Sequence, residues 1–195
     1  GGNYMDIIIA SNNNGKIKEF KEILQPLGYN VLSQSEAGVN IEVEETGTTF
    51  EQNAEIKASA IYELKHTAVL ADDTGLVVDY LNGEPGVYSA RYMGLKSDED
   101  RRKCILEKLK NVPHNKRTAS FECSICFIKE SGEKIIVTGK WKGKITEQEQ
   151  GQNGFGYDSI FQPEGEEKTS AEMLPQEKNS KSHRALAIKE LKKYL

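Results

Sequence analysis

The chain has 195 residues, with 26 Lys plus Arg against 30 Asp plus Glu and a formal net charge of −4. At 37% hydrophobic and 29% charged residues it has the balance of a globular chain with its own core rather than of a disordered one. This mild acidity argues against a broad grip on nucleic-acid backbone. No apolar run approaches the ~20 residues of a membrane span, so neither a nucleic-acid polymer nor a membrane is an expected partner.

Gly1-Gly2-Asn3-Tyr4 reads as a cloning scar ahead of Met5, which leaves residues 5–195 as a single domain. Residues 5–11 (MDIIIAS) form a continuous apolar run, the pattern of a strand buried on both faces. Asn12-Asn13-Asn14-Gly15 is a turn, followed by a helix whose buried stripe is Ile17, Phe20, Leu24 and Leu27. A second strand is expected around Val31-Leu32. Beyond the acidic Glu42-Val43-Glu44-Glu45 and Thr46-Gly47, Thr48 or Thr49 caps a long helix. Its stripe is Phe50, Ala54, Ala58, Ile61 and Leu64. Residues 67–71 and 76–81 read as two strands flanking a loop, Asp72-Asp73-Thr74-Gly75.

Residues 98–110 read as an amphipathic helix, and 117–130 with 133–146 as a hairpin turned at Ser131-Gly132. A short strand is expected at 159–161 and a closing helix at 182–195. Helices and strands are intermixed, so the class is α/β. The three cysteines, an odd number, fit a reducing compartment and a cytoplasmic location. Cys123 and Cys126 lie three apart on a strand pattern, so their sulfurs point to opposite faces rather than forming a redox or zinc pair.

Several segments carry charge where chemistry could use it. A strand opening through Asn13-Asn14-Gly15-Lys16 into a helix is a phosphate-site arrangement, since helix N-terminal amides attract anions. An ordinary capped helix with a surface lysine has the same pattern. Asp72-Asp73-Thr74-Gly75 could be half of an aspartic-protease site, a set of caps and turn acids, or a magnesium site partnered by Glu44-Glu45. Asn53 and Lys57 stand one turn apart at the margin of the long helix's stripe. Phe155-Gly156-Tyr157-Asp158 is either a pocket wall or a buried aromatic turn, and Lys178, Ser182, His183 and Arg184 gather at a helix start.

Taken in order, Ser11-Asn12-Asn13-Asn14-Gly15-Lys16, Glu44-Glu45-Thr46-Gly47, Phe50-Glu51-Gln52-Asn53-Ala54 with Lys57-Ala58, Ala71-Asp72-Asp73-Thr74-Gly75-Leu76, Gly86-Val87-Tyr88-Ser89-Ala90-Arg91-Tyr92, Gly154-Phe155-Gly156-Tyr157-Asp158 and Ser182-His183-Arg184 form a distinctive series. It resembles the inosine/xanthosine triphosphate pyrophosphatase family. The resemblance implies an α/β fold of two lobes with a central twisted mixed sheet, an active-site cleft between the lobes, and a homodimer. The implied reaction is magnesium-dependent hydrolysis of deaminated purine nucleoside triphosphates (ITP, dITP, XTP) to the monophosphate and pyrophosphate. A nucleotide-binding regulator without catalysis is the alternative; a phosphatase of modified pyrimidine or canonical-size nucleotides on a related fold is a third.

Under that resemblance Ser11, Asn12, Asn13, Asn14, Gly15, Lys16 and Thr74 belong to substrate binding, with Phe155, Gly156, Tyr157 and Asp158 as base pocket and Lys178, His183 and Arg184 as donors to a 6-oxo group. Asp73 with Glu45 (Glu44 its rival) holds magnesium; Asp73 and Asp72 act on the attacking water, and Lys57 opposes phosphate charge.

Overall fold

The computed structural model describes residues 5–195; the expected cloning scar at residues 1–4 lies outside the described residues. The strands are β1 (Met5–Ile9), β2 (Tyr29–Ser33), β3 (Val69–Val78), β4 (Thr118–Ile128), β5 (Lys134–Ile145) and β6 (Phe161–Pro163), and the helices α1 (Asn14–Leu24), α2 (Phe50–Lys65), α3 (Asp98–Lys108), α4 (Pro175–Lys181) and α5 (His183–Lys192). They build one six-stranded sheet in the order β2-β1-β3-β4-β5-β6. It is mixed: β1 runs parallel to β2 (Ile7 opposite Val31) and to β3 (Ile8 opposite Val69), whereas β5 and β6 are antiparallel (Gly143 opposite Pro163).

The chain divides into two compact units. The first runs to Asp73 and adds Cys123–Gly139 and Arg184–Leu195; the second comprises Thr74–Glu122 and Lys140–His183. β3, β4 and β5 each give residues to both.

In the first unit the continuous apolar strands are sandwiched. Ile7, Ile9, Ala68 and Leu70 pack with Phe20 and Leu24 of α1 and Ala187, Ile188 and Leu191 of α5. The residues between them, Ile8, Val69 and Ala71, pack with Ala54, Ala58 and Ile61 of α2. Period-two alternation sends neighbours to opposite faces, so both faces of β1 and β3 need apolar side chains. Each large one buried contributes roughly 1.5–3 kcal/mol. The same rule separates the cysteines: Cys123 joins the α1/α5 side and Cys126 the α2 side, where burial pushes its thiol up to about 11. The second unit packs Leu76, Val78, Ile105, Leu109, Trp141, Tyr157 and Phe161 into its own core.

Four expectations are corrected. Asp72 to Gly75 is not a loop: β3 runs unbroken through it. The short strand is Phe161–Pro163, two residues later than expected, because Asp158–Ile160 forms a 3-10 turn. A separate helix, α4, precedes α5, and its signal was Pro175 at the first helical position. Leu27 and Leu64, expected on buried stripes, are 44% and 55% exposed because they lie at or beyond the last turn of their helices.

Candidate active site

In the first unit the turn after β1 is built by its own side chains. Ser11 Oγ accepts from the Asn13 amide at 3.0 Å, and Asn13 Oδ1 caps α1 by accepting from the Lys16 amide at 3.1 Å. This leaves Asn12, Asn13 and Asn14 exposed and Gly15 half-buried. It places the Lys16 ammonium 3.4 Å from Asp72 Oδ2. Thr49 caps α2, and the helix carries Asn53 and Lys57 inward one turn apart. Lys57 Nζ lies 2.6 Å from Glu45, and Asn53 Nδ2 donates to Asp73 Oδ2 at 3.0 Å. Glu45 is half-buried and Glu44 exposed, so Glu45 is the one turned to the cluster.

Asp72 and Asp73 are 1% and 4% exposed. Adjacent on a strand, they point to opposite faces: Asp72 toward Lys16 and the Cys123 thiol, 3.9 Å away, and Asp73 toward Asn53 of α2. Burying carboxylates is costly unless charge or hydrogen bonds compensate. Burial pushes the Asp73 carboxyl up to about 6; Glu45 adds to the rise, and Lys57, Asn53 and Lys16 offset part of it. For Lys57, burial acts to lower the pKa, but the charges of Asp72, Glu45 and Asp73 and the hydrogen bond to Glu45 outweigh it. Lys57 is therefore held as a cation, suited to opposing phosphate charge and unsuited to accepting a proton.

In the second unit Asp158 is the hub of the aromatic turn. Its Oδ2 accepts from the Phe155 amide at 3.0 Å and from Lys178 Nζ at 2.7 Å, and its Oδ1 accepts from Ser170 Oγ at 2.9 Å. Lys178 thereby lies 5.1 Å above the Phe155 ring, in cation–π range. The close-approach glycine here is Gly154, with φ +77°: a Cβ there would stand 2.1 Å from Asp158 Oδ2. Gly156 has open space at that position. Its amide donates to Asp98 at 3.2 Å and its carbonyl accepts from Arg102 at 2.8 Å.

Tyr157, expected on the pocket wall, is buried in the core, with its hydroxyl donating to the Ser89 carbonyl at 2.6 Å. Burial drives its pKa upward. Phe155 is the half-buried aromatic. His183 is 2% exposed and stacks on Phe121 (4.9 Å) and Trp141 (6.3 Å). Thr74 is half-buried on β3.

Arg184, expected as a base donor, belongs to the first unit and gives Nη1 to the buried Glu19 of α1. Glu19 and Ser170 were missed by sequence reasoning. Nothing in the helical period marks Glu19, because an acid beside Phe20 reads as solvated until its partner, 165 positions away, is known.

Residues 7–194 match the model of the Ham1 family. The chain belongs to the Ham1 family. Among curated relatives it is 48% identical to the dITP/XTP pyrophosphatase of Bacillus subtilis (strain 168), over 97% of this chain and 96% of that protein. It is 48% identical to the dITP/XTP pyrophosphatase of Clostridium perfringens over 95% and 94% of the two chains. Among solved structures, the Staphylococcus aureus Ham1 protein superposes with a TM-score of 0.85 at 44% identity, over 97% of each chain. The mixed α/β fold is thus shared with Ham1 proteins.

In this Ham1 chain the candidate metal donors are Glu45 and Asp73. Among the described residues no group of three or more His, Cys, Asp or Glu side chains is placed to hold an ion. Magnesium does not require one: it takes one or two carboxylates and completes its shell with water and phosphate oxygens. Glu45 and Asp73 are hard oxygen donors whose repulsion, felt in the raised Asp73 pKa, a divalent cation would relieve. The pair fits magnesium.

Proposed function

We propose that this protein is a cytoplasmic, homodimeric nucleoside triphosphate pyrophosphatase that hydrolyses deaminated purine nucleotides, with magnesium as cofactor. The observation that carries the reading is the first unit's cluster, where two lysines, Lys16 and Lys57, stand among Glu45, Asp72 and Asp73. A pure binding module has no use for buried carboxylates that cost desolvation energy, whereas hydrolysis of a triphosphate needs both signs of charge. The relatives named dITP/XTP pyrophosphatase support the substrate class.

Water attacks the α-phosphorus, the bond to the bridging oxygen of the β-phosphate breaks, and the products are nucleoside monophosphate and pyrophosphate. Lys16, at the start of α1, and Lys57 oppose the roughly four negative charges of the triphosphate. Asp73, ionised above a pH of about 6, orients the water and accepts its proton. Magnesium held by Glu45 and Asp73 would supply charge neutralisation on the phosphates and on the departing pyrophosphate. In the second unit, Phe155 offers a ring face to the base and Lys178 an N–H donor to the 6-oxo group of hypoxanthine or xanthine. That donor would face another donor in the 6-amino group of adenine.

The test is product analysis on a panel of ITP, dITP, XTP and ATP with magnesium. Pyrophosphate and monophosphate from the first three, with ATP a poor substrate, is the expected result; orthophosphate and a diphosphate would overturn the reaction type. Sedimentation of the same sample reads the dimer, and a monomer at enzyme-assay concentration removes that part. Lys16→Ala is expected chiefly to raise KM, by ~10-fold for the loss of one charge-assisted phosphate contact. An unchanged KM would take Lys16 out of phosphate binding.

A further inference from the structure

Asn53 is 0% exposed, and a buried amide is tolerated only when both its ends are hydrogen-bonded. Its Oδ1 accepts from the Gly47 amide at 2.7 Å, and its Nδ2 donates to Asp73 Oδ2 at 3.0 Å. The orientation of this amide is fixed by chemistry. A backbone N–H can only donate, so the end facing Gly47 is the carbonyl and the end facing Asp73 must be the NH₂. Gly47 approaches as closely as its lack of a side chain allows, since a Cβ there would stand 2.7 Å from Asn53 Oδ1 and 2.7 Å from Gln52 Cβ. Glu45 lies two residues before Gly47. One side chain on the rigid α2 helix therefore ties the acidic loop to the carboxylate on β3.

We propose that Asn53 is a positioning residue: its amide bridges the Glu45 loop and Asp73, so that the two carboxylates of the proposed hydrolytic site are held in register by one helix side chain. The inference rests on the pyrophosphatase reading for its catalytic consequence, but not for the bridge itself. With Asp73 Oδ2 held by Asn53, Oδ1 would be the oxygen left to hold an ion or water. A shift of about 1 Å in such a group costs on the order of 10²-fold in rate, with little effect on nucleotide affinity, which is carried by the lysines.

The experiment compares the parent with Asn53→Ala, Gly47→Ala and Asn53→Asp, measuring kcat and KM for dITP with magnesium, the melting temperature, and hydrogen exchange of the Gly47 amide. Asn53→Asp keeps the volume and the acceptor for Gly47 but removes the donor to Asp73, so it separates the two ends. All three variants are expected to lose at least ~10-fold in kcat with KM within ~3-fold. Gly47 exchange should accelerate at least ~10-fold in Asn53→Ala and stay slow in Asn53→Asp. A merely structural role would lower the melting temperature while leaving kcat per folded molecule at the parent value, and that overturns the proposal. So does rapid Gly47 exchange in the parent. If the parent releases no pyrophosphate from dITP, the functional reading fails by itself, and Gly47 exchange in parent and variants still decides the bridge.

Discussion

Asp73→Asn is expected to lose at least ~10²-fold in turnover while still binding nucleotide, and to be more stable than the parent near neutral pH when divalent ions are chelated. The two effects share one cause. The Asp73 carboxyl is raised from 3.8 to about 6 by burial first and by Glu45 next, so the folded state holds its proton more tightly than the unfolded chain does. The stability contributed by the neutral acid is fully present below about pH 3.8 and is lost as pH rises through about 6. Around neutral pH the ionised group therefore burdens the fold by about 3 kcal/mol, at about 1.4 kcal/mol per pH unit.

An Asn side chain keeps an acceptor for Asn53 Nδ2 and removes the charge. Thermal unfolding in chelator should show the variant ahead of the parent near neutral pH, with the gap closing as pH falls from about 6 to about 4. Equal melting temperatures at neutral pH would show that Asp73 is not strained by its surroundings; near-parental turnover would remove it from the chemistry.

A second large effect is expected at Asp158. Asp158→Ala removes the carboxylate that accepts from Lys178, Ser170 and the Phe155 amide, and Lys178 is only 5% exposed. Taking one partner from a buried ion pair typically costs about 3–5 kcal/mol. Urea unfolding should register a loss of that size; a loss below about 1 kcal/mol would mean that water or a neighbour already compensates Lys178. The catalytic readout is distinct. With the anchor gone, the Phe155 ring and Lys178 lose their mutual placement, so KM for dITP should rise and the preference over ATP should narrow. Gly154→Ala, which drives a Cβ to 2.1 Å from Asp158 Oδ2, should move the same readouts in the same direction.

Much of this was legible in the chain. A continuous apolar run gave the doubly covered first strand, since Ile7, Ile8 and Ile9 can be buried together only if both faces are packed. Spacing gave α1 and α2, and residue type offered Thr48 or Thr49 as the cap of α2, of which Thr49 is the one used. The divergence of Cys123 and Cys126 follows from strand period alone. The resemblance of the ordered motifs to a pyrophosphatase family led to the same family as the whole-chain match.

Local sequence determined which segments are helix or strand, which face of each is apolar, and which residue types are gathered near each turn. Tertiary structure decided the rest, because the free energy of a buried polar group depends on partners far along the chain. Two adjacent aspartates between two apolar runs read as a loop, yet β3 runs through them, with Lys16 of α1 and Asn53 of α2 meeting them there. Arg184 reads as a donor at a helix start, and its partner is the buried Glu19; Tyr157 reads as part of either a pocket wall or a buried aromatic turn, and its hydroxyl donates to the Ser89 carbonyl. Periodicity reports how a side chain is oriented on its own element. Whether that orientation costs or stabilises is set by the charge and hydrogen-bonding groups that folding brings opposite it.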